Sequence, residues 1–233
     1  LPGGEAAIRE PWRMAFGALT ANGFDMHAPA LLHRLGATGK QCALLARMIE
    51  RGLNCPLTSS CGRLFDAAAA LILRQHKVDY EAQAAIMLEG IAADELDEPD
   101  DIPGYPIEVR ADNPRDPAIL ATGELWRRLL ADLDAAVPAA RIAARFHAAV
   151  ARGFIDAAAL AAESTGIRQV ALSGGCLHNR RLARLLRTGL EARGFEIFQH
   201  CRTSPGDGGL SYGQAAVAAA IMRNNEERIG RVK

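Results

Sequence analysis

The last third of the chain repeats one unit: a short apolar or β-branched run, a glycine turn, then a helical stretch. The first copy runs from strand 169–172 through Ser173-Gly174-Gly175 into a helix over 180–192. The second runs from strand 195–199 through Ser204-Pro-Gly-Asp-Gly-Gly into a helix of small residues over 211–222. Strands that alternate with helices must return in the same direction, so the pattern predicts a parallel pairing and an α/β fold. It also sets both glycine turns at the carboxyl edge of one sheet, where open α/β sheets hold their ligands.

Upstream the period is helical. Apolar residues recur at helical spacing over 5–19, 31–35, 41–51, 62–73 and 80–96. A breaker cluster at 98–106 leads to a strand at 107–110, and a second breaker at 112–117 precedes a helix over 120–133. The alanine-rich stretch from 141 to 165, interrupted by Arg145, His147, Arg152, Asp156 and Glu163, reads as a packed helix pair, 139–152 and 155–165. The division that follows is a helical part over 1–110 and an α/β part over 111–233.

Composition narrows the function classes. Lys+Arg and Asp+Glu are equal at 27 each, so no broad field draws the chain to nucleic acid or to a membrane surface. No uncharged apolar run is long enough to span a bilayer, and no signal peptide is evident. The five cysteines are odd in number and make no C-x-x-C, which fits reduced thiols in the cytoplasm. The chain opens at Leu1, not at a methionine, so it is expected to begin inside a longer polypeptide.

Three segments can carry chemistry. In QVALSGGCLHN (169–179) the missing Cβ atoms of Gly174 and Gly175 would let a phosphate or an adenine ring approach bare backbone N–H groups. Asn179 then either caps the next helix or bonds a ligand, and an ordinary strand-to-helix turn remains the alternative. In SPGDGGLSYGQ (204–214) Asp207 sits among glycines, as a cation ligand beside a phosphate or as a plain Asp-Gly turn. In TSSCGRLFDA (58–67) Gly62 and Arg63 fall at a helix start with Asp66 one turn on. Such a guanidinium and carboxylate suit ribose hydroxyls or phosphate, or else form a local ion pair. Glu81 and Gln83 belong either with this set or to a solvated helix face. The six histidines make neither H-x-x-x-H nor H-E-x-x-H, and only His178, inside the glycine turn, invites a test. No nucleophile–base arrangement is visible and no catalytic residue is assigned, Cys176 included.

Five segments, LPGGEAAIREPWRMA (1–15), TSSCGRLFDAAAAL (58–71), YEAQAAIMLE (80–89), LSGGCLHNRRL (172–182) and SPGDGGLSYGQAAVA (204–218), resemble the C-terminal region of the HypF hydrogenase-maturation carbamoyltransferases. The resemblance implies a helix-rich lobe of the actin/hexokinase-like ATPase (ASKHA) class, the later part of a Kae1-like domain similar to the threonylcarbamoyl-transferase subunit. It implies synthesis of carbamoyl-adenylate from carbamoyl phosphate and ATP. The carbamoyl group then passes to the C-terminal cysteine of a partner maturation protein, on the route to the cyanide ligand of nickel–iron hydrogenase.

Carried onto this chain, it sets Gly62, Arg63 and Asp66 near the ribose, Gly174, Gly175 and Asn179 near adenine and phosphate, and Asp207 on a divalent metal (iron, zinc or magnesium). The family's acylphosphatase-like, zinc-finger and adenylate-forming domains, and its histidine-rich metal motif, are not among these residues. The piece alone is therefore expected to be inactive and to bind metal weakly or not at all. The competing readings are an actin-like small-molecule kinase lobe and a non-catalytic assembly module that keeps the fold.

Overall fold

A computed structural model describes residues 1–92, 102–111 and 117–230, with side chains to residue 223. Helix α1 (Glu5–Arg9) and helix α2 (Pro11–Ala21) replace the single helix predicted over 5–19. Glu10 holds φ −124° and ψ 80° because the ring of Pro11 crowds the residue before it out of helical space, and Pro11 then starts α2. Helix α3 (Pro29–Leu35) and helix α4 (Gly39–Glu50) follow, the latter opened by a reciprocal Thr38–Gln41 capping box.

Helix α5 (Cys61–Ile72) buries every residue from Phe65 to Ile72. Four of these are alanines, Ala67 to Ala70, whose small side chains let α2 and α8 approach closely. The helix predicted from residue 80 starts at Gln83 instead, as α6 (Gln83–Ala92). Before it Ala82 takes φ +63°, and the Gln83 side chain accepts the Asp79 N–H at 2.7 Å. The rest of that prediction, past Ala92, and the acidic breaker to residue 101 lie outside the described residues.

Strand β1 (Glu108–Arg110) pairs antiparallel with strand β2 (Ile119–Ala121), Val109 opposite Leu120. Leu120 was expected inside a helix, but it belongs to β2, and α7 (Gly123–Asp134) begins three residues later. The predicted helix pair is one helix, α8 (Ala139–Thr165), 27 residues long. Gly153 does not break it. A Cβ there would stand 2.9 Å from Leu120 Cδ2 and 3.2 Å from Ile107 Cγ2. The glycine therefore serves the close approach of α8 to the strand pair and costs the helix only about 1 kcal/mol of propensity.

Strand β3 (Gln169–Leu172) and strand β4 (Glu196–Gln199) pair in parallel, Gln169 opposite Glu196, as the repeated unit predicts. Helix α9 (Arg180–Ala192) crosses between them and packs on α8 through Leu182, Leu186 and Leu190. Helix α10 (Leu210–Gly230) leaves the second glycine loop with Leu210, Tyr212, Val217, Ile221 and Met222 exposed. The core gathers Phe16, Phe65, Trp126 and Phe146 around α2, α5, α7 and α8. Among the described residues no helix is long and apolar enough to cross a membrane.

Candidate functional site

Both glycine segments follow the carboxyl ends of β3 and β4, and they touch. The Gly174 N–H donates to the Pro205 carbonyl at 2.7 Å, and the Ser173 hydroxyl reaches the same oxygen at 3.4 Å. A Cβ on Gly206 would lie 3.3 Å from the Gly175 Cα, so the second loop runs hard against the first. The backbone N–H of Gly174 is thus spent inside the protein and not bare for an anion, against the sequence expectation. A single 3-10 turn, Gly175–His178, separates the glycines from α9.

The N-terminus of α5 faces this loop pair from the helical side. Ser60 caps it, its hydroxyl accepting the Arg63 N–H at 3.4 Å. Between the two lies a cleft of about 540 Å³, lined by Gly62, Arg63, Asp66, Gly175, Asn179 and Asp207. That volume is in the range that takes a nucleotide-sized ligand. Six of the seven residues singled out in the sequence share it. Gly174 is the exception and faces an adjoining hollow toward α10 (about 690 Å³), which also reaches Asp207. That hollow is larger, but it carries few polar groups beside the apolar side of α10. The charged chemistry is in the smaller cleft.

Arg63 and Asp66 make the ion pair that their spacing allows, at 2.8 Å. Neither Arg63 Nη1 nor Asp66 Oδ2 completes a well-aligned hydrogen bond, so both atoms keep bonding capacity while buried. Asp66 is only 3% exposed. Burial lifts its carboxyl to about 6, against the pull of Arg63 and with a smaller push from Glu81. Glu81 lines the same cleft while staying exposed to solvent, just before the start of α6.

The neighbouring Cys61 side chain, with Arg63 and the Gly62 N–H, draws the Cys176 thiol down to about 7 against the opposing effect of burial. Cys61 itself is pushed up by that neighbour and by burial. At pH 7.5 we expect iodoacetamide to alkylate Cys176 well before Cys61, as read by peptide mass spectrometry; equal rates would show that the two thiols are not set apart in this way.

Two contributors escaped the sequence reading. Glu89 on α6 accepts the Arg180 N–H at 2.7 Å and ties the start of α9 to the cleft wall. His147 on α8 is fully buried behind Asn179. Its spacing from Ala143 and Val150 was the available signal, since all three fall on the apolar face of that helix. Asn179 does cap α9, its side chain accepting the Leu182 N–H at 2.8 Å. His178 lines the cleft and meets the Ser204 hydroxyl at 3.2 Å through Nε2. Asp207 reaches the cleft from the second loop, and among the described residues no three of His, Cys, Asp or Glu converge to hold a metal ion.

The model of the carbamoyltransferase Kae1-like domain, second subdomain, matches residues 1–214. The chain belongs to this family. It is 43% identical over 225 residues to a carbamoyltransferase HypF homolog of Cupriavidus necator, covering 94% of this chain and 55% of that relative. It is 39% identical over 232 residues to the carbamoyltransferase HypF of Rhizobium leguminosarum bv. viciae, covering 98% of this chain and 28% of the relative. Among solved structures, a full-length HypF in the phosphate- and nucleotide-bound form superposes with a TM-score of 0.80 at 32% identity, over 95% of this chain and 28% of that one. The chain spans about half the first of these relatives and under a third of the others. Its α/β, helix-rich fold is accordingly that of the Kae1-like second subdomain in HypF.

Proposed function

We propose that this chain is the C-terminal part of the nucleotide-binding domain of a hydrogenase-maturation carbamoyltransferase. The lobe is of the actin/hexokinase-like class, with 1–110 as its ribose side and 111–233 carrying the two glycine loops. The whole enzyme makes carbamoyl-adenylate from carbamoyl phosphate and ATP. It then moves the carbamoyl group to the C-terminal cysteine thiol of a maturation protein in the cytoplasm, for cyanide-ligand synthesis. Equal numbers of acidic and basic residues leave no reason to add a nucleic-acid or membrane partner.

The observation that carries this reading is the meeting of Arg63, Asp66, Gly175 and Asn179 around one cleft of nucleotide size. Asp66 accepts from ribose hydroxyls, while Arg63 donates to an oxygen of the ligand and screens its charge. The glycine turn admits the flat base or a phosphate without steric cost, since a Cβ at Gly175 would meet only open space. Burial of the pair keeps water from competing for these bonds.

A resident metal does not fit the described residues alone. Asp207 offers one carboxylate, and a transition-metal site needs about four ligands. Asp207 is assigned as a ligand contributed to a site completed elsewhere in the enzyme, and no step is routed through it.

The test is calorimetric titration of the full-length protein with ATP and carbamoyl phosphate, then mass spectrometry of a partner peptide ending in cysteine. Binding of ATP and gain of one carbamoyl group on the peptide are expected. Phosphorylation of a small-molecule hydroxyl would instead establish the kinase reading, and no nucleotide binding would leave an assembly module.

A further inference from the structure

His147 is a fully buried titratable ring to which the proposed chemistry gives no task. An apolar ring would fill the same space without the cost of burying two nitrogens. Its Nδ1 lies 2.7 Å from the Ala143 carbonyl, which can only accept, so Nδ1 carries the proton. Nε2 therefore presents a lone pair, 2.9 Å from the Asn179 Nδ2 amide. Burial pushes the ring down to about 4, with Arg181 adding to the effect, so it stays neutral and the lone pair stays free to accept. Phe65 and Phe146 hold the imidazole edge-on, their centroids 5.1 Å and 6.2 Å from its own.

These contacts decide which way the Asn179 amide faces. Its Oδ1 accepts the Leu182 N–H at 2.8 Å and its Nδ2 donates to His147. Reversing the amide would set Oδ1 against the Nε2 lone pair and an NH₂ against the Leu182 N–H, losing both bonds at once. One Nδ2 hydrogen remains, on a residue that lines the cleft. The donor character of that edge is thus set one residue behind the cleft lining, by His147 on α8.

We propose that His147 is a positioning residue, holding the Asn179 amide so that it offers an N–H to an acceptor atom of the bound nucleotide. The claim deepens the nucleotide-binding reading of the cleft and rests on it. The ligand atom selected is a hydrogen-bond acceptor, a ring nitrogen or a phosphate oxygen, and never a donor.

The test uses the full-length protein with ATP as probe. His147→Phe keeps a buried ring but removes the acceptor, and His147→Gln restores an acceptor near the Nε2 position. His147→Phe is expected to weaken ATP by on the order of tenfold with kcat little changed. His147→Gln is expected to recover most of that loss. In an Asn179→Ala background, His147→Phe should cost nothing further. A loss that adds in full to that of Asn179→Ala, or that Gln does not recover, would reduce His147 to a packing role and overturn the proposal.

A second readout does not depend on nucleotide. In protein labelled with ¹⁵N-asparagine, the Asn179 side-chain signal (assigned by its loss in Asn179→Ala) should move in His147→Phe and return toward its place in His147→Gln. An unmoved signal overturns the positioning claim. Failure of the wild-type protein to bind ATP would instead defeat the nucleotide reading, and the donor role built on it, even with that signal moved.

Discussion

Replacing Asp66 with asparagine in the full-length enzyme is expected to weaken ATP binding roughly ten- to hundred-fold, the usual worth of a charge-assisted hydrogen bond, without destabilising the fold at neutral pH. The carboxyl is nearly isosteric with the amide, but its Oδ2 is a buried acceptor with no aligned partner in the protein. Within the fold its pKa stands at about 6 against an ordinary value of 3.8, chiefly from desolvation. Between those two values the folded chain holds the proton more tightly than the unfolded one. Stability from this group is therefore fullest below about 4 and falls as pH rises to 6, after which the penalty is constant. A shift of that size corresponds to about 3 kcal/mol. Asparagine removes the penalty, so the slope of stability against pH between 4 and 6 should flatten in the variant. Calorimetry with ATP and denaturant melts across that range read both effects. Unchanged affinity with lowered stability would make Arg63–Asp66 an ordinary structural ion pair.

How far the sequence revealed this site depends on which bonds are local. The Asn179 cap, the Arg63–Asp66 pair and the parallel pairing of β3 with β4 are made within a few residues or by a repeated unit, and spacing exposed them. His147 is invisible by that route, because its partner Asn179 lies 32 residues away and only the crossing of α8 with the first glycine turn brings them together. The same distinction explains the boundaries that were misread. Gly153 resembles a breaker until its neighbours Leu120 and Ile107 are known, and Leu120 resembles a helix residue until Val109 is found opposite it. Pro11 was legible, since proline forbids helix at the residue before it, but helical periodicity on both sides masked the break. The spent N–H of Gly174 depends on Pro205, a contact that no local pattern announces.

The second large effect is expected at Phe146, and it is one of fold before function. The ring is fully buried and meets Phe65 edge-on at 5.0 Å and Trp126 at 6.4 Å. Through these contacts it joins α8 to α5 and α7, the helices that carry the site's Arg63 and Asp66 and the apolar wall behind them. Phe146→Ala should cost about 3–5 kcal/mol, a transfer loss plus the cavity left behind. Against a typical domain stability of about 5–15 kcal/mol, that leaves much of the protein near its unfolding threshold. Phe146→Leu keeps most of the volume and should cost about 1–1.5 kcal/mol. Hydrogen exchange, read by mass spectrometry on peptides from α5 and α8 of the full-length protein, separates the two. Amide protection there should drop by about two to three and a half orders of magnitude in the alanine variant, by the usual tenfold per 1.4 kcal/mol, and by about tenfold in the leucine one. Protection that stays at the wild-type level in Phe146→Ala would mean that α5 and α8 are held together elsewhere, and the aromatic cluster would lose its place as the support of the cleft.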